Sequence, residues 1–126
     1  MLAAVIRRQG RYLLCLRPRQ KRHGGLWEFP GGTLEPQETP AQAAGREVRE
    51  ELGAEVTGCG PLLFSHREAG SPFQIEFVPV EIVGEPRALE HEELRWVSAE
   101  ELKGLRLAPS DRAFADWYTA RIDERR

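Results

Sequence analysis

The sequence predicts an α/β fold in which a mixed β-sheet is packed between α-helices, in one domain spanning residues 1–126. Three observations carry this expectation. Short runs rich in Val, Ile, Leu and Phe are separated by glycine- and proline-marked turns, the pattern of strands in a sheet. One segment, Thr39 to Gly53, carries both helix start and helix stop signals. The length of 126 residues suffices for one hydrophobic core and not for two.

Taken in order, residues 2–6 (LAAVI) and 12–16 (YLLCL) form a strand pair about a Gln9-Gly10 turn, apolar on both faces and therefore buried. From Arg17 to Gly25 the chain is basic and contains glycine, which predicts a mobile loop bringing positive charge near the site that follows. Leu26 to Phe29 resume a strand, broken by Pro30-Gly31-Gly32. Thr39 is an N-cap, Pro40 suits the first helical position, Gln42 completes a capping box and Gly53 stands where a C′ glycine belongs. Together they predict a helix over 40–52. Segments 55–66 and 73–83 read as strands, and Pro79, having no N–H to donate, places the second at an edge or a bulge. Leu94 to Val97 add a short strand, Ser98-x-x-Glu101 caps a short helix, and Pro109 to about Arg121 form a last helix with Ala113, Phe114 and Trp117 at helical spacing.

Composition narrows the partners. Eighteen basic and 20 acidic residues leave a formal charge of −2, so no sequence-wide basic field exists to hold a nucleic-acid polymer, and a small nucleotide is the expected partner. Cys15 and Cys59 lack metal or disulfide spacing and read as buried small apolar residues in a reducing compartment. No apolar run reaches the roughly 18 residues of a membrane span. A soluble, cytoplasmic protein, monomeric or homodimeric, is expected.

On the central helix, Ala41, Ala44, Val48 and Leu52 fall on one stripe, and Glu47, Glu50 and Glu51 share a face beside it. Three like charges at this spacing oppose one another unless cations neutralise them. Such a run also occurs as a solvated, ion-paired face. Two features favour the site reading: the charges flank the apolar stripe, and Pro30-Gly31-Gly32 precedes the helix with backbone groups bare enough to approach an oxyanion or a metal.

Gly32, then Glu38 after five residues, then Arg46-Glu47-Val48-Arg49-Glu50-Glu51-Leu52-Gly53-Ala54 after seven, resembles the Nudix box. Every charged and glycine position is matched, and Ala54 alone departs, small where a bulky aliphatic is usual. Leu26-Trp27-Glu28-Phe29-Pro30-Gly31-Gly32, Glu90 ahead of Trp96, and Leu107-Ala108-Pro109-Ser110-Asp111 extend the resemblance to the MutT-type branch and to nearly the whole chain. The resemblance implies a mixed, curved sheet sandwiched between helices. It also implies a metal-dependent hydrolysis of nucleoside triphosphates to monophosphate and pyrophosphate by water attack at the β phosphorus.

By the same resemblance, Glu47, Glu50, Glu51 and the Gly31 carbonyl hold Mg²⁺, with Mn²⁺ as a substitute; these are hard cations suited to oxygen ligands. Glu50 or Glu51 is the first candidate for water activation and Glu90, also a candidate ligand, the second; the ALEHEE stretch around Glu90 reads equally as a solvated acidic turn. Arg46 is expected to hold a neighbouring ligand carboxylate bidentately, and Glu38 to anchor the loop. Asp111 stands where the family reads the nucleobase edge; Asn there often accompanies oxidised guanine, and Asp occurs in relatives preferring cytosine nucleotides and in some that also take oxidised purines. It is equally an ordinary helix N-terminal acid. Phe29, Leu26 and Phe73 are candidates for stacking on the base or for the core. Arg17 and Arg22, with Arg19, Lys21 and His23, steer the triphosphate or are merely solvated. His66 and His91 have no partner at informative spacing and are expected to be surface or hydrogen-bonded histidines. The leading expectation is removal of oxidised nucleotides such as 8-oxo-dGTP. The alternatives are a cytidine-nucleotide or 5-methyl-dCTP pyrophosphohydrolase and a non-catalytic base-recognition module.

Overall fold

A computed structural model describes residues 1–124; Arg125 and Arg126, the last two residues of the predicted domain, lie outside the described residues. The strands are β1 (Leu2–Arg8), β2 (Arg11–Leu16), β3 (Trp27–Glu28), β4 (Gly31–Gly32), β5 (Glu55–Cys59), β6 (Phe64–Arg67), β7 (Gln74–Val83) and β8 (Glu93–Val97). The helices are α1 (Pro40–Leu52), α2 (Ala99–Gly104) and α3 (Pro109–Glu124).

One mixed sheet runs β3-β2-β1-β7-β5. Its centre is the parallel pair β1–β7, with Leu2 opposite Glu76 and Ile6 opposite Val80. The remaining pairings are antiparallel, and β8 flanks β2. The chain from Trp27 to Gly32 bridges two parts of the sheet, since β3 pairs with β2 and β4 with the start of β1. That bridge brings Glu28 and Gly31 to the wall of one cleft.

Alternation along β1 sorts its side chains between two cores, as the period of a strand requires. Ala3 and Val5 join Tyr12, Leu14, Phe77 and Phe114 under α2 and α3. Leu2, Ala4 and Ile6 join Leu13, Val48, Leu52 and Val78 under α1. The sheet is thus covered on both faces, as the sequence predicts.

Five expectations are corrected. The stretch 55–66 is two strands, because the chain leaves the sheet at Gly60-Pro61 and re-enters as β6. Pro79 lies in the central strand β7, not at an edge, and the bulge falls in β5 between Val56 and Gly58. The Pro79 carbonyl accepts from the Gly60 amide at 2.9 Å. The missing N–H points the same way, toward the break between β5 and β6, where no strand needs it. On α1 the first turn buries Ala43 and leaves Ala41 exposed. The 17–25 segment is closed by its own hydrogen bonds: Arg17 and Gly25 pair through Gly25 N–H to Arg17 O at 3.0 Å, and the Arg17 Nε donates to the Arg22 carbonyl at 2.8 Å. Cys15 is buried as expected, whereas Cys59 is only half-buried.

Candidate active site

The sequence places α1 firmly. Thr39 Oγ1 accepts from the Gln42 amide, Gln42 returns a bond to the Thr39 amide, and Gly53 closes the helix in the left-handed region at φ 65°. With the helix ends fixed, Val48 and Leu52 anchor one face in the core and Glu51 is drawn in beside them. The carboxylates then separate by depth. Glu51 is 5 % exposed, Glu47 is half-buried, and Glu50 is exposed, ion-paired with Arg46 at 3.5 Å. Glu50 is thus the most exposed of the three.

Two glycines let this helix approach the sheet. A Cβ on Gly31 would sit 1.9 Å from the Leu2 carbonyl oxygen of the neighbouring strand. One on Gly32 would sit 2.5 Å from Glu47 Oε1. Arg46 fixes the other side of Glu47. Its NH1 donates to Glu47 Oε1 at 2.8 Å, while Nε and NH2 hold Glu38 bidentately at 2.7 and 2.8 Å. The fork thus falls on Glu38, the loop anchor, and Glu47 receives a single bond. Paired with the guanidinium, Glu38 is held down at about 2, and Arg46 is pushed up in return.

Across from α1, Glu28 on β3 accepts from Arg17 NH1 at 2.8 Å and lies 2.9 Å from His91 Nε2. The loop after β7 is tied to the end of α1 by Arg87 N–H to Leu52 O at 2.8 Å and Leu89 N–H to Glu51 O at 3.1 Å. That tie carries Glu90 and His91 to the same place. Arg17, Lys21, Glu28, Glu51, Glu90 and His91 wall a cleft of about 120 Å³ with the Gly31 backbone. Burial first, then the hydrogen bond and charge of Glu47 and the charges of Glu28 and Glu90, push the Glu51 carboxyl well above the usual range. Glu51 Oε1 and His91 Nδ1 are buried there without a hydrogen-bond partner.

A second cleft, of about 240 Å³, shares Arg17 and Glu28 with the first and is bounded further by Arg22, Phe73, Ser110 and Asp111. Asp111 is buried at the start of α3, and its Oδ1 accepts from the Phe29 amide at 2.9 Å. Desolvation pushes it up to about 8, against that bond. Ser110 is held by His66 Nδ1 at 3.0 Å. Phe73 is exposed at the cleft wall. The Phe29 ring, by contrast, packs edge-on against Phe77 and Phe114 in the core and offers no stacking face. Leu26 is half-buried and lies outside the residues bounding either cleft. A larger groove of about 660 Å³ near Arg7, Gln9, Gly58 and Glu81 contains none of the predicted site residues.

Sequence reasoning missed Glu28 and His91. Glu28 was visible only as part of Leu26–Gly32, and His91 had no local partner to reveal it, since the two meet from positions 63 residues apart.

Fold and site together define a NUDIX hydrolase: residues 1–118 match the NUDIX domain, and the chain belongs to that family. It is 44 % identical over 115 residues to the CTP pyrophosphohydrolase of Escherichia coli strain K12, a match covering 88 % of this chain and 84 % of that protein. Over 46 residues, 36 % of this chain and 41 % of the relative, it is 54 % identical to the 8-oxo-dGTP diphosphatase of Proteus vulgaris. A solved MutT structure, from a study of the Aliivibrio salmonicida and Vibrio cholerae proteins, superposes with a TM-score of 0.81 at 28 % identity over 95 % of each chain. The chain is an enzyme of the pyrophosphohydrolase type, acting on small-molecule nucleotides. No helix among the described residues is long and apolar enough to cross a membrane.

NUDIX hydrolases generally use divalent metal ions, and the residues present fit one. The wall offers oxygen donors, its deepest carboxylate oxygen has no partner, and three further carboxylates face it. Among the described residues no three such side chains stand at metal-ligand spacing. Glu47, Glu51, Glu90 and the Gly31 carbonyl are the groups that would hold the ion. Bound there, it supplies neutralisation of phosphate charge and a lowered pKa for a water ligand.

Proposed function

We propose that the chain hydrolyses cytosine-bearing nucleoside triphosphates to the monophosphate and pyrophosphate, with Mg²⁺ as cofactor and Mn²⁺ as a substitute. Water adds to the β phosphorus, the bond from that phosphorus to the α–β bridging oxygen breaks, and the monophosphate leaves with that oxygen. The 120 Å³ cleft takes the phosphates and the 240 Å³ cleft the base. Glu47 and Glu51 are the principal ligands. Glu90, on the opposite wall and exposed, is the proposed acceptor of the water's proton. Arg17 and Arg22 meet the triphosphate at the junction, although Arg17 is already committed to Glu28.

The observation that carries the substrate reading is the burial of Asp111 on the wall of the 240 Å³ cleft, where desolvation pushes its carboxyl up to about 8 and so favours the neutral form at pH 7. A neutral carboxyl offers one O–H donor and one carbonyl acceptor. Cytosine presents the complement, its N3 acceptor and its N4 amino donor. Guanine presents two donors at N1–H and the N2 amino group, which suit an ionised carboxylate, and O6 beside N1–H, which suits a neutral one, so the protonated carboxyl fits cytosine without by itself rejecting guanine. The similarity to a CTP pyrophosphohydrolase over most of the chain supports the same order. It reverses the order of substrates expected from the sequence, where burial of Asp111 could not be read.

The second reading, 8-oxo-dGTP, draws on the similarity to an 8-oxo-dGTP diphosphatase. The test is a hydrolysis panel with Mg²⁺ covering CTP, dCTP, 5-methyl-dCTP, dGTP, 8-oxo-dGTP and ADP-ribose, with Glu51→Gln as control. Cytosine preference of tenfold or so in kcat/KM, abolished in the control, is expected. Preference for 8-oxo-dGTP at pH 7 would sink the cytosine reading, and no turnover with either ion would sink the metal-dependent one.

A further inference from the structure

His91 is buried at the phosphate cleft with one ring nitrogen engaged and the other idle. Its side chain is 7 % exposed, and that of Glu51 is 6 % exposed. Nε2 lies 2.9 Å from Glu28 Oε2, and the other oxygen of Glu28 takes the Arg17 guanidinium at 2.8 Å. A carboxylate paired in this way only accepts, so the ring proton belongs on Nε2 and Nδ1 carries a lone pair. That lone pair has no partner, and neither does Glu51 Oε1, 3.8 Å away.

This spacing is too long for a hydrogen bond, so no proton is shared between the two atoms. It is the separation of two donors on one ion: with bonds of about 2.1 Å, such donors stand about 3 to 4 Å apart, depending on the angle between them. The Glu28–His91 bond is also the usual partnership of a metal-bound histidine, whose second nitrogen donates to a carboxylate that fixes its tautomer and aim. Finally, the Leu89 amide bond to the Glu51 carbonyl ties the two side chains' backbones together.

Resting on the reading of this cleft as a divalent-ion site, we infer that His91 Nδ1 is a nitrogen ligand to that ion and that Glu28 positions it. Nitrogen suits Mn²⁺, Co²⁺ and Zn²⁺ better than Mg²⁺. The chain therefore binds such ions more tightly than an all-oxygen site would, while Mg²⁺ relies on the carboxylates.

Electron spin echo modulation of the full chain loaded with Mn²⁺ tests this without reference to turnover. The expected result is modulation from a directly bound ¹⁴N, replaced by the ¹⁵N pattern when only histidine is labelled, and lost in His91→Gln. In equilibrium dialysis His91→Gln is expected to weaken Mn²⁺ about tenfold or more and Mg²⁺ by less than about threefold. The labelled wild-type protein decides the matter even if the variant folds poorly. Bound Mn²⁺ with no nitrogen modulation, or with modulation persisting in a folded His91→Gln, overturns the role of His91 and leaves the metal reading standing. Absence of any Mn²⁺ uptake by the wild-type chain overturns both.

Discussion

Asp111 is a carboxyl that the fold keeps dry. In the unfolded chain it ionises near its ordinary value of 3.8, and in the folded chain burial delays this to about 8. The folded state thus binds the extra proton between those values, so this group's contribution to stability is complete below pH 4 and declines as the pH rises to 8. Asp111→Asn, which keeps a donor beside an acceptor, should remove that slope from denaturation midpoints measured between pH 5 and 9. It should also hold the KM for dCTP steady above pH 8, where the parent's rises. An unchanged slope would show that Asp111 is already ionised. Gly31 and Gly32 make a second residue-scale contrast. Gly31→Ala meets backbone and should destabilise by about 2–3 kcal/mol. Gly32→Ala meets only the flexible end of Glu47, so its melting temperature should hardly move while Mg²⁺ affinity falls about tenfold. Calorimetry of both variants, thermal and with metal titrated, separates the two effects.

Helix α1 was legible in the sequence because its signals are local: a cap at Thr39, a reciprocal Gln42, a glycine at Gly53. Thr39→Ala should therefore cost about 1 kcal/mol by denaturant unfolding, with the midpoint shifted and the slope retained. A loss near zero would mean that tertiary packing alone fixes the helix start. The box carboxylates were legible for the same reason, but their depths were not. A helical period says which residues share a face, and only the opposing surface decides that Glu51 goes in and Glu50 stays out. The strand region shows the converse. Pro79 reads as an edge or bulge signal, yet it sits mid-sheet because its neighbour strand departs there, a fact encoded earlier in the chain at Gly60-Pro61. Phe29 reads from the sequence as either a stacking or a core aromatic, and it is core because Phe77 and Phe114, far along the chain, pack against its ring.

At the scale of the molecule, two cores share one sheet, and Phe77 links the sheet to α3 by stacking on Phe114 at 4.6 Å. Both rings are fully buried. Phe77→Ala should lower unfolding free energy by about 3–5 kcal/mol. Because α3 begins at the Asp111 cleft, the same variant should raise the KM for nucleotide more than it lowers metal affinity, which depends on α1 across the sheet. Equal losses would mean that the two faces are not separately supported.

The parallel seam between β1 and β7 has a bearing on how the protein is made. Leu2 is translated early and its partner Glu76 roughly seventy residues later. At about 5–20 residues per second, the first strand waits several seconds on the ribosome before its central neighbour exists. During that interval it can pair only with β2 and with the two residues of β4, and the sheet's centre closes once β7 has cleared the exit tunnel. Nascent chains arrested before β7 should accordingly be protease-sensitive throughout, and those arrested after α3 has emerged resistant as a unit.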